Sequence, residues 1–267
     1  KMAPLFGPAV VSNPTGGFPS GTMLIAYAGG GTNWPGSGFN PETQTVFAPA
    51  VNDGAYPLGL VPLPEGLSDL KYDQGIGGQV FRISGAAGFG DAPDAPKVSL
   101  DDQKLAAALA AHPQKAIGPP PPTSVSGLPM VKPPYGLLTA INLNTGEHVW
   151  QVPNGDTPDS IKNKPVLKAV TMPEKTGHSA NVGEAITKTL VIQGDGEYVT
   201  KPGHPRGAYL RGYDQKTGQQ VGEVYMPAPQ SGSPMTYTYD GKQYIMVAVS
   251  GGNYSGDYLA YALPQSQ

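Results

Sequence analysis

Cysteine is absent from all 267 residues, which excludes disulfides, thiolate metal sites and a Cys-x-x-Cys-His haem attachment while leaving the compartment open. Charge is sparse too: 14% of residues are Asp, Glu, Lys or Arg, the formal net charge is −3, and no Lys/Arg cluster occurs. A surface that tracks nucleic-acid phosphates needs such a cluster, so nucleic acid is not a partner. No apolar run approaches the roughly 18 residues of a membrane-spanning helix. The phosphate loop Gly-x4-Gly-Lys-Ser/Thr, the His-Glu-x-x-His zinc motif and the Gly-x-Ser-x-Gly elbow are all missing. The start, Lys1-Met-Ala-Pro-Leu-Phe-Gly-Pro8, lacks the charged, apolar, small-residue layout of a secretion signal and is abrupt, as expected of a processed chain or a piece of a longer one.

What the chain has in plenty is glycine (37) and proline (30), set between short apolar runs in a sequence that is 39% hydrophobic. That spacing marks a loop-rich all-β protein rather than a low-complexity one.

Two stretches repeat each other. Ala140-Ile-Asn-Leu-Asn-Thr-Gly-Glu-His-Val-Trp-Gln-Val152 and Gly212-Tyr-Asp-Gln-Lys-Thr-Gly-Gln-Gln-Val-Gly-Glu-Val224 align without a gap and share Thr145/Thr217, Gly146/Gly218, Val149/Val221 and Val152/Val224. Each reads as a β-hairpin: an alternating strand, an Asn or Asp that can bond nearby backbone, a Thr-Gly pair supplying positive φ, and a second strand. One hairpin cannot bury its apolar face alone, so a recurring hairpin implies stacked or radially repeated sheets.

Phe39-Asn-Pro-Glu-Thr43 is a degenerate third copy, with Gln44 where the turn glycine would stand and a short strand, Thr45-Val-Phe-Ala48, after it. Asp240-Gly241, flanked by Met235–Tyr239 and Gln243–Val249, is the strongest local hairpin signal in the chain. Strands are also expected at 22–28, 189–193 and 259–263. Ser99 to His112 has an N-cap serine, early acids and alanine/leucine propensity, and stops at Pro113, which predicts one short helix inside an irregular insertion at about 60–127. Pro119–Pro122 reads as a stiff connector.

The four histidines, His112, His148, His178 and His204, have no metal-ligand spacing, and each is expected at the surface or on a hairpin. Spacing alone yields no catalytic residue.

Wording does more. Gly29-Gly-Gly-Thr-Asn-Trp-Pro-Gly-Ser37, the run 133–153, the run 233–252 and the tail Gly256-Asp-Tyr-Leu-Ala-Tyr-Ala-Leu-Pro264 together resemble the pyrroloquinoline quinone (PQQ)-dependent dehydrogenases, nearest the membrane-bound glucose dehydrogenase branch. The likeness covers most of the chain outside the insertion. It implies an eight-bladed β-propeller of four-stranded sheets, of which residues 1–267 would supply about four C-terminal blades.

The resemblance further implies that PQQ lies on the propeller axis with Ca²⁺, that an upstream aspartate is the general base, and that electrons from a sugar or alcohol hydroxyl pass to ubiquinone on the periplasmic side. The family's Asn-Trp pair falls on Asn33 and Trp34, an amide donor and an indole plate suited to a quinone, although Trp34 could equally be blade core. Asp195 is a further cofactor-side candidate, but the insertion through Thr200-Lys-Pro-Gly-His-Pro-Arg206 breaks the alignment there, so a solvated turn aspartate is the competing reading. The tryptophan of the blade-docking phrase is Trp150; the second copy has Gly222 in its place, which implies a weaker contact. The catalytic aspartate and calcium ligands have no counterpart and should lie in a missing N-terminal half, so this chain alone should be inactive and should need that half, a second copy or another chain.

The rival is a non-catalytic propeller-like scaffold or glycan-binding module. Polar residues facing the axis favour the enzyme, and an apolar-filled axis favours the scaffold.

Overall fold

The computed structural model describes residues 7–13, 21–25, 31–34, 36–52, 54–63, 70–76, 79–80, 124–178 and 182–262. The chain divides into two compact units, Lys1–Ala28 with Ala55–Thr123, and Gly29–Gly54 with Ser124–Gln267. The predicted helix 99–112 and the connector 119–122 lie outside the described residues.

In the first unit, β1 (Thr22–Ile25), β4 (Ala55–Pro62), β5 (Tyr72–Ile76) and β6 (Gln79–Val80) form one antiparallel sheet in the order β1-β4-β5-β6. Val11 adds a parallel bridge to Leu60, and Val61 (3% exposed) is its best-buried apolar side chain among the described residues. The stretch expected to be irregular therefore holds regular strands wherever it is described before residue 81, apart from short connections.

The second unit is built of three successive sheets. Sheet I has the order β10-β9-β3-β2, from β2 (Gly38–Asn40), β3 (Thr45–Val51), β9 (Gly136–Asn142) and β10 (His148–Pro153). Sheet II is the meander β11 (Glu184–Ile186), β12 (Leu190–Gly194), β13 (Ala208–Asp214) and β14 (Gln220–Met226). Sheet III comprises β15 (Met235–Tyr239), β16 (Lys242–Gly251) and β17 (Tyr254–Ala262). Among the described residues, a small hairpin, β7 (Ser124–Val125) with β8 (Leu128–Pro129), and one short helix, α1 (Asp159–Lys162), complete the unit together with a 3-10 turn at Pro165–Leu167.

Sheet II is apolar on both faces, which is why β12 reads as a continuous hydrophobic run. Val191 and Tyr213 pack with Phe47, Leu138 and Ala140 of sheet I. Their strand neighbours Ile192 and Leu210 point the other way, onto Val247 and Val249 of sheet III. Antiparallel meanders stacked face on face in this manner are propeller blades, and the all-β propeller class expected from the sequence holds.

The repeat is physical. In the two copies Asn142 Oδ1 accepts the Asn144 N–H at 2.8 Å, Asp214 Oδ1 accepts the Lys216 and Thr217 N–H groups at 3.0 and 2.9 Å, and Gly146 and Gly218 take φ of 74° and 71°. The degenerate copy obeys the same rule: Gln44 adopts φ 53°, and Asn40 Oδ1 accepts the Glu42 N–H at 2.9 Å. The two full copies also carry a register shift at the same place, skipping Val149 and Val221, which leaves these shared valines 50% and 58% exposed rather than in the core.

The strand after the degenerate turn is longer than expected, covering Thr45–Val51 and paired along its whole length with β9. The chain leaves sheet I after β3 and returns at β9, so β3 becomes an interior strand. Pro49 is tolerated in it because β2 pairs only as far as Phe47.

Gly146 and Gly218 share a conformation but not a neighbourhood. A Cβ on Gly146 would meet nothing within 4 Å, whereas one on Gly218 would stand 2.7 Å from the Trp150 ring. Gly146→Ala should cost about 1 kcal/mol from backbone strain alone, and Gly218→Ala about 2–3 kcal/mol. The difference between their urea midpoints reads the docking of Trp150, and equal losses would show that the indole does not press on that turn.

Candidate functional site at the loop end of the sheets

Antiparallel order sends all the short Thr-Gly and Asp-Gly turns to one end of the second unit. The described parts of the long connections, 31–34 with 36–37, 154–178 with 182–183, 195–207 and 227–234, gather at the other. Buried polar side chains concentrate at this loop end: Asn154, Asp156, Thr176, His178, Gln193, Asp195, Arg211 and Gln230 are each under 9% exposed.

Ladder register explains the arrangement. Glu184 pairs with Gln193, Gln193 with Arg211 and Arg211 with Glu223, so one polar row crosses all four strands of sheet II. One row nearer the turns, Ile186, Val191 and Tyr213 continue the same face as apolar core.

Arg211, 1% exposed, is the centre of that row. Its Nε and Nη2 donate to Asp195 Oδ1 and Oδ2 at 2.9 and 2.8 Å, Nη2 also donates to Asp156 Oδ2 at 3.0 Å, and Nη1 donates to Glu223 Oε2 at 2.7 Å and Gln220 Oε1 at 3.1 Å. All five N–H groups of the guanidinium thus have an acceptor. Lys201 Nζ bridges Asp156 at 3.0 Å and Glu223, and lies 4.1 Å from the centre of the Tyr209 ring. Burial pushes the Asp156 and Glu223 carboxyls up, but Arg211 and Lys201 outweigh it and hold both below the usual range.

Asp195 is therefore not a solvated turn residue. It is fully buried, and besides Arg211 its Oδ2 accepts the Tyr209 N–H at 3.0 Å, so both of its oxygens are engaged within the protein. His178, expected at the surface, is 1% exposed, beside Asp195 and Gly155. His148 and His204 are exposed as expected, and His112 lies outside the described residues.

Asn33 and Trp34 occupy the loop that feeds β2. The Asn33 carbonyl accepts the Gly36 N–H at 2.8 Å, its Oδ1 accepts the Trp34 N–H at 2.8 Å, and the Gly31 carbonyl accepts the Val51 N–H at 2.6 Å, tying the loop to the end of β3. Trp34 is 87% exposed and is not blade core. No hydrogen bond or ring contact joins either residue to the Arg211 cluster among the described residues.

Glu184 stands where β11 approaches β2. It accepts the Gly38 N–H through Oε1, while its Oε2 is buried without a partner; across the ladder Gln193 is in the same position, its Nε2 bound to the Val182 carbonyl at 2.8 Å and its Oε1 unpaired. A proton on Glu184 would turn its unpartnered Oε2 from an acceptor into a hydroxyl donor. Burial lifts the Glu184 carboxyl to about 7, against the Gly38 bond that lowers it. A carboxyl raised on folding contributes stability that is complete below its unfolded value near 4.5 and fades as pH climbs towards 7, a span worth at most a few kcal/mol. Glu184→Gln should leave the melting temperature nearly unchanged at or below about pH 4, where both states carry the proton, and raise it at pH 8. The same offset at both pH values would show that Glu184 does not titrate in this window.

Among the described residues no three His, Asp or Glu side chains gather to hold a metal ion. The sequence reading missed Arg211, Glu184 and Gln193. One signal was available: an arginine inside the otherwise apolar strand Ala208-Tyr-Leu-Arg-Gly-Tyr213 must be paired if that strand is buried.

Comparison with known proteins agrees with this architecture. The chain is 28% identical over 256 residues to the quinate/shikimate dehydrogenase (quinone) of Acinetobacter baylyi and 30% identical over 259 residues to a protein of Xanthomonas campestris pv. juglandis named probable quinate dehydrogenase (quinone), matching 92% and 93% of this chain. It is 34% identical over 146 residues, 53% of the chain, to quinoprotein glucose dehydrogenase A of Acinetobacter calcoaceticus. It spans only 27%, 28% and 17% of the lengths of these three relatives. Residues 91–245 match the β-propeller domain described as PQQ, glucose/ethanol/alcohol dehydrogenase, and with blades, turns and order in agreement the chain belongs to that family of PQQ dehydrogenases.

Proposed function

We propose that this chain forms one side of the cofactor site of a PQQ-dependent dehydrogenase that oxidises a hydroxyl-bearing carbon and delivers the electrons to a quinone. The observation that carries the reading is a match along nine-tenths of the chain to quinone-linked quinate dehydrogenases. The glucose dehydrogenase of Acinetobacter calcoaceticus matches along about half. A cyclic hydroxy acid is accordingly preferred to an aldose as substrate.

The loop-end residues fit a flat, carboxylated quinone in part. The bare Trp34 indole offers a plate for stacking, and the Asn33 amide nitrogen, engaged by no acceptor among the described residues, offers a donor. Asp195, fully buried and engaged by Arg211 and Tyr209, offers neither and acts as a positioning residue for the loop end. When bound, PQQ supplies a two-electron acceptor for the substrate's hydride. Calcium, the general base and the rest of the ring are assigned to the remainder of the protein, and a periplasmic setting follows from the same family reading. The match to quinone-linked dehydrogenases disfavours the scaffold alternative.

The test is dye reduction by the full-length protein supplied with PQQ and Ca²⁺, with quinate and glucose as substrates, beside this chain alone. PQQ-dependent reduction with quinate by the full-length protein only is expected. Absence of PQQ-dependent reduction with either substrate would overturn the reading.

A further inference from the structure

The connection 195–207 between β12 and β13 is where the family wording breaks, and it is tightly held. Tyr198 Oη donates to the Gly251 carbonyl at 2.7 Å. The Thr200 N–H and hydroxyl donate to Asp159 Oδ1 and Oδ2 at 2.9 and 2.8 Å. Arg206 Nε donates to the same Asp159 Oδ2 at 3.2 Å, and its guanidinium lies over the Tyr198 ring at 3.9 Å.

This arrangement fixes the plane of Arg206 from two directions and uses only one of its nitrogens. Nη1 and Nη2 have no hydrogen-bond partner among the described residues, and the side chain is 59% exposed. Arg206 borders an open cleft of about 380 Å³ lined also by Glu197, Tyr198, Ser160, Ser250 and Gly252. The cleft lies at the loop end of the unit, the end at which Asn33 and Trp34 stand. Asp159, 9% exposed, already accepts three donors, so it holds the guanidinium without filling its outer edge. Glu197, which lines the same space, accepts the Ser160 hydroxyl through Oε2 at 3.0 Å.

We propose that this cleft is a hydroxy-acid subsite in which the Nη1/Nη2 edge of Arg206 takes a substrate carboxylate as a bidentate pair and Glu197 accepts a hydrogen bond from a substrate hydroxyl. A planar fork held on an aromatic face is matched to a carboxylate, and the charge-assisted bonds it forms are about twice as strong as neutral ones. The acceptor on Glu197 disfavours simple inorganic anions and suits a ligand that carries both groups. The subsite deepens the dehydrogenase reading above and rests on it for the identity of the ligand as substrate.

Two readouts test it on the full-length protein. In calorimetry without turnover, quinate should bind the wild type, and Arg206→Leu should weaken it by roughly 30- to 100-fold, while the methyl ester of quinate, which lacks the charge, should bind both equally. Arg206→Lys, which keeps the charge and loses the fork, should fall between them. In the PQQ-loaded enzyme, Arg206→Leu should raise KM for quinate by a similar factor, with kcat and PQQ affinity within about threefold.

Quinate binding that depends on Arg206 in a protein without PQQ-linked turnover would support the subsite and sink the dehydrogenase reading. Turnover of glucose with no Arg206-dependent quinate binding would do the reverse. Loss of acid and ester affinity alike, or loss of PQQ affinity instead, would overturn the subsite.

Discussion

Arg211→Met should lower the unfolding free energy by about 3–5 kcal/mol, the range for breaking a buried ion pair by removing one partner. Methionine roughly keeps the volume, so the loss measures charge rather than packing. Two cations, Arg211 and Lys201, stand among the carboxylates of Asp156, Asp195 and Glu223, and the substitution leaves Lys201 alone with all three. Asp195, fully buried, is left with the Tyr209 N–H as its remaining partner.

The pH dependence gives this prediction a signature that a packing defect would lack. Asp156 and Glu223 are held below their usual range, so they contribute stability above about pH 4 that is lost as pH falls through their folded values. With Arg211 gone that contribution largely disappears, and the gap between wild type and variant should narrow on acidification. A gap that is constant from pH 7 to pH 4, or a loss under about 1 kcal/mol, would show that the row does not hold the loop end.

Trp150→Ala is the second large effect, also expected at about 3–5 kcal/mol. The indole spans the junction of sheets I and II: its Nε1–H donates to the Gln215 carbonyl at 2.9 Å, its ring lies against Gly218, and its centroid is 5.8 Å from that of Phe47. Truncation removes a hydrogen bond and opens a cavity beside the cluster of Phe47, Leu138, Val191 and Tyr213. Trp150→Phe should keep most of the packing and lose about 1 kcal/mol for the missing N–H. If both variants unfold like the wild type in urea, the sheets are joined by something other than this ring. The second copy shows the contrast: a Cβ at Gly222 would meet nothing within 4 Å, and sheets II and III are held instead by their apolar faces and by the Tyr261 hydroxyl donating to the Tyr225 carbonyl at 2.7 Å.

The hairpins were legible because their determinants are local: an Asx side chain, a Thr and a residue with positive φ within five positions dictate the turn, even where Gln44 replaces glycine. The bulges were not, since a skipped valine leaves no mark on composition. The full length of β3 was not legible either, because Pro49 is tolerated in it only where its neighbour β2 stops, a tertiary fact. Asp195 was chosen for its place in the chain, but its chemistry is set by Arg211 across the ladder, visible only once register is known. Asn33 and Trp34 came from wording alone, and their exposure at the loop end is what keeps them candidates.

The most direct test of the central claim is a PQQ titration of the full-length protein, wild type against Trp34→Ala and Asn33→Leu. The account predicts saturable PQQ binding that activates dye reduction, with affinity lowered about tenfold or more by each substitution at unchanged thermal stability. PQQ binding that is indifferent to both residues would contradict it.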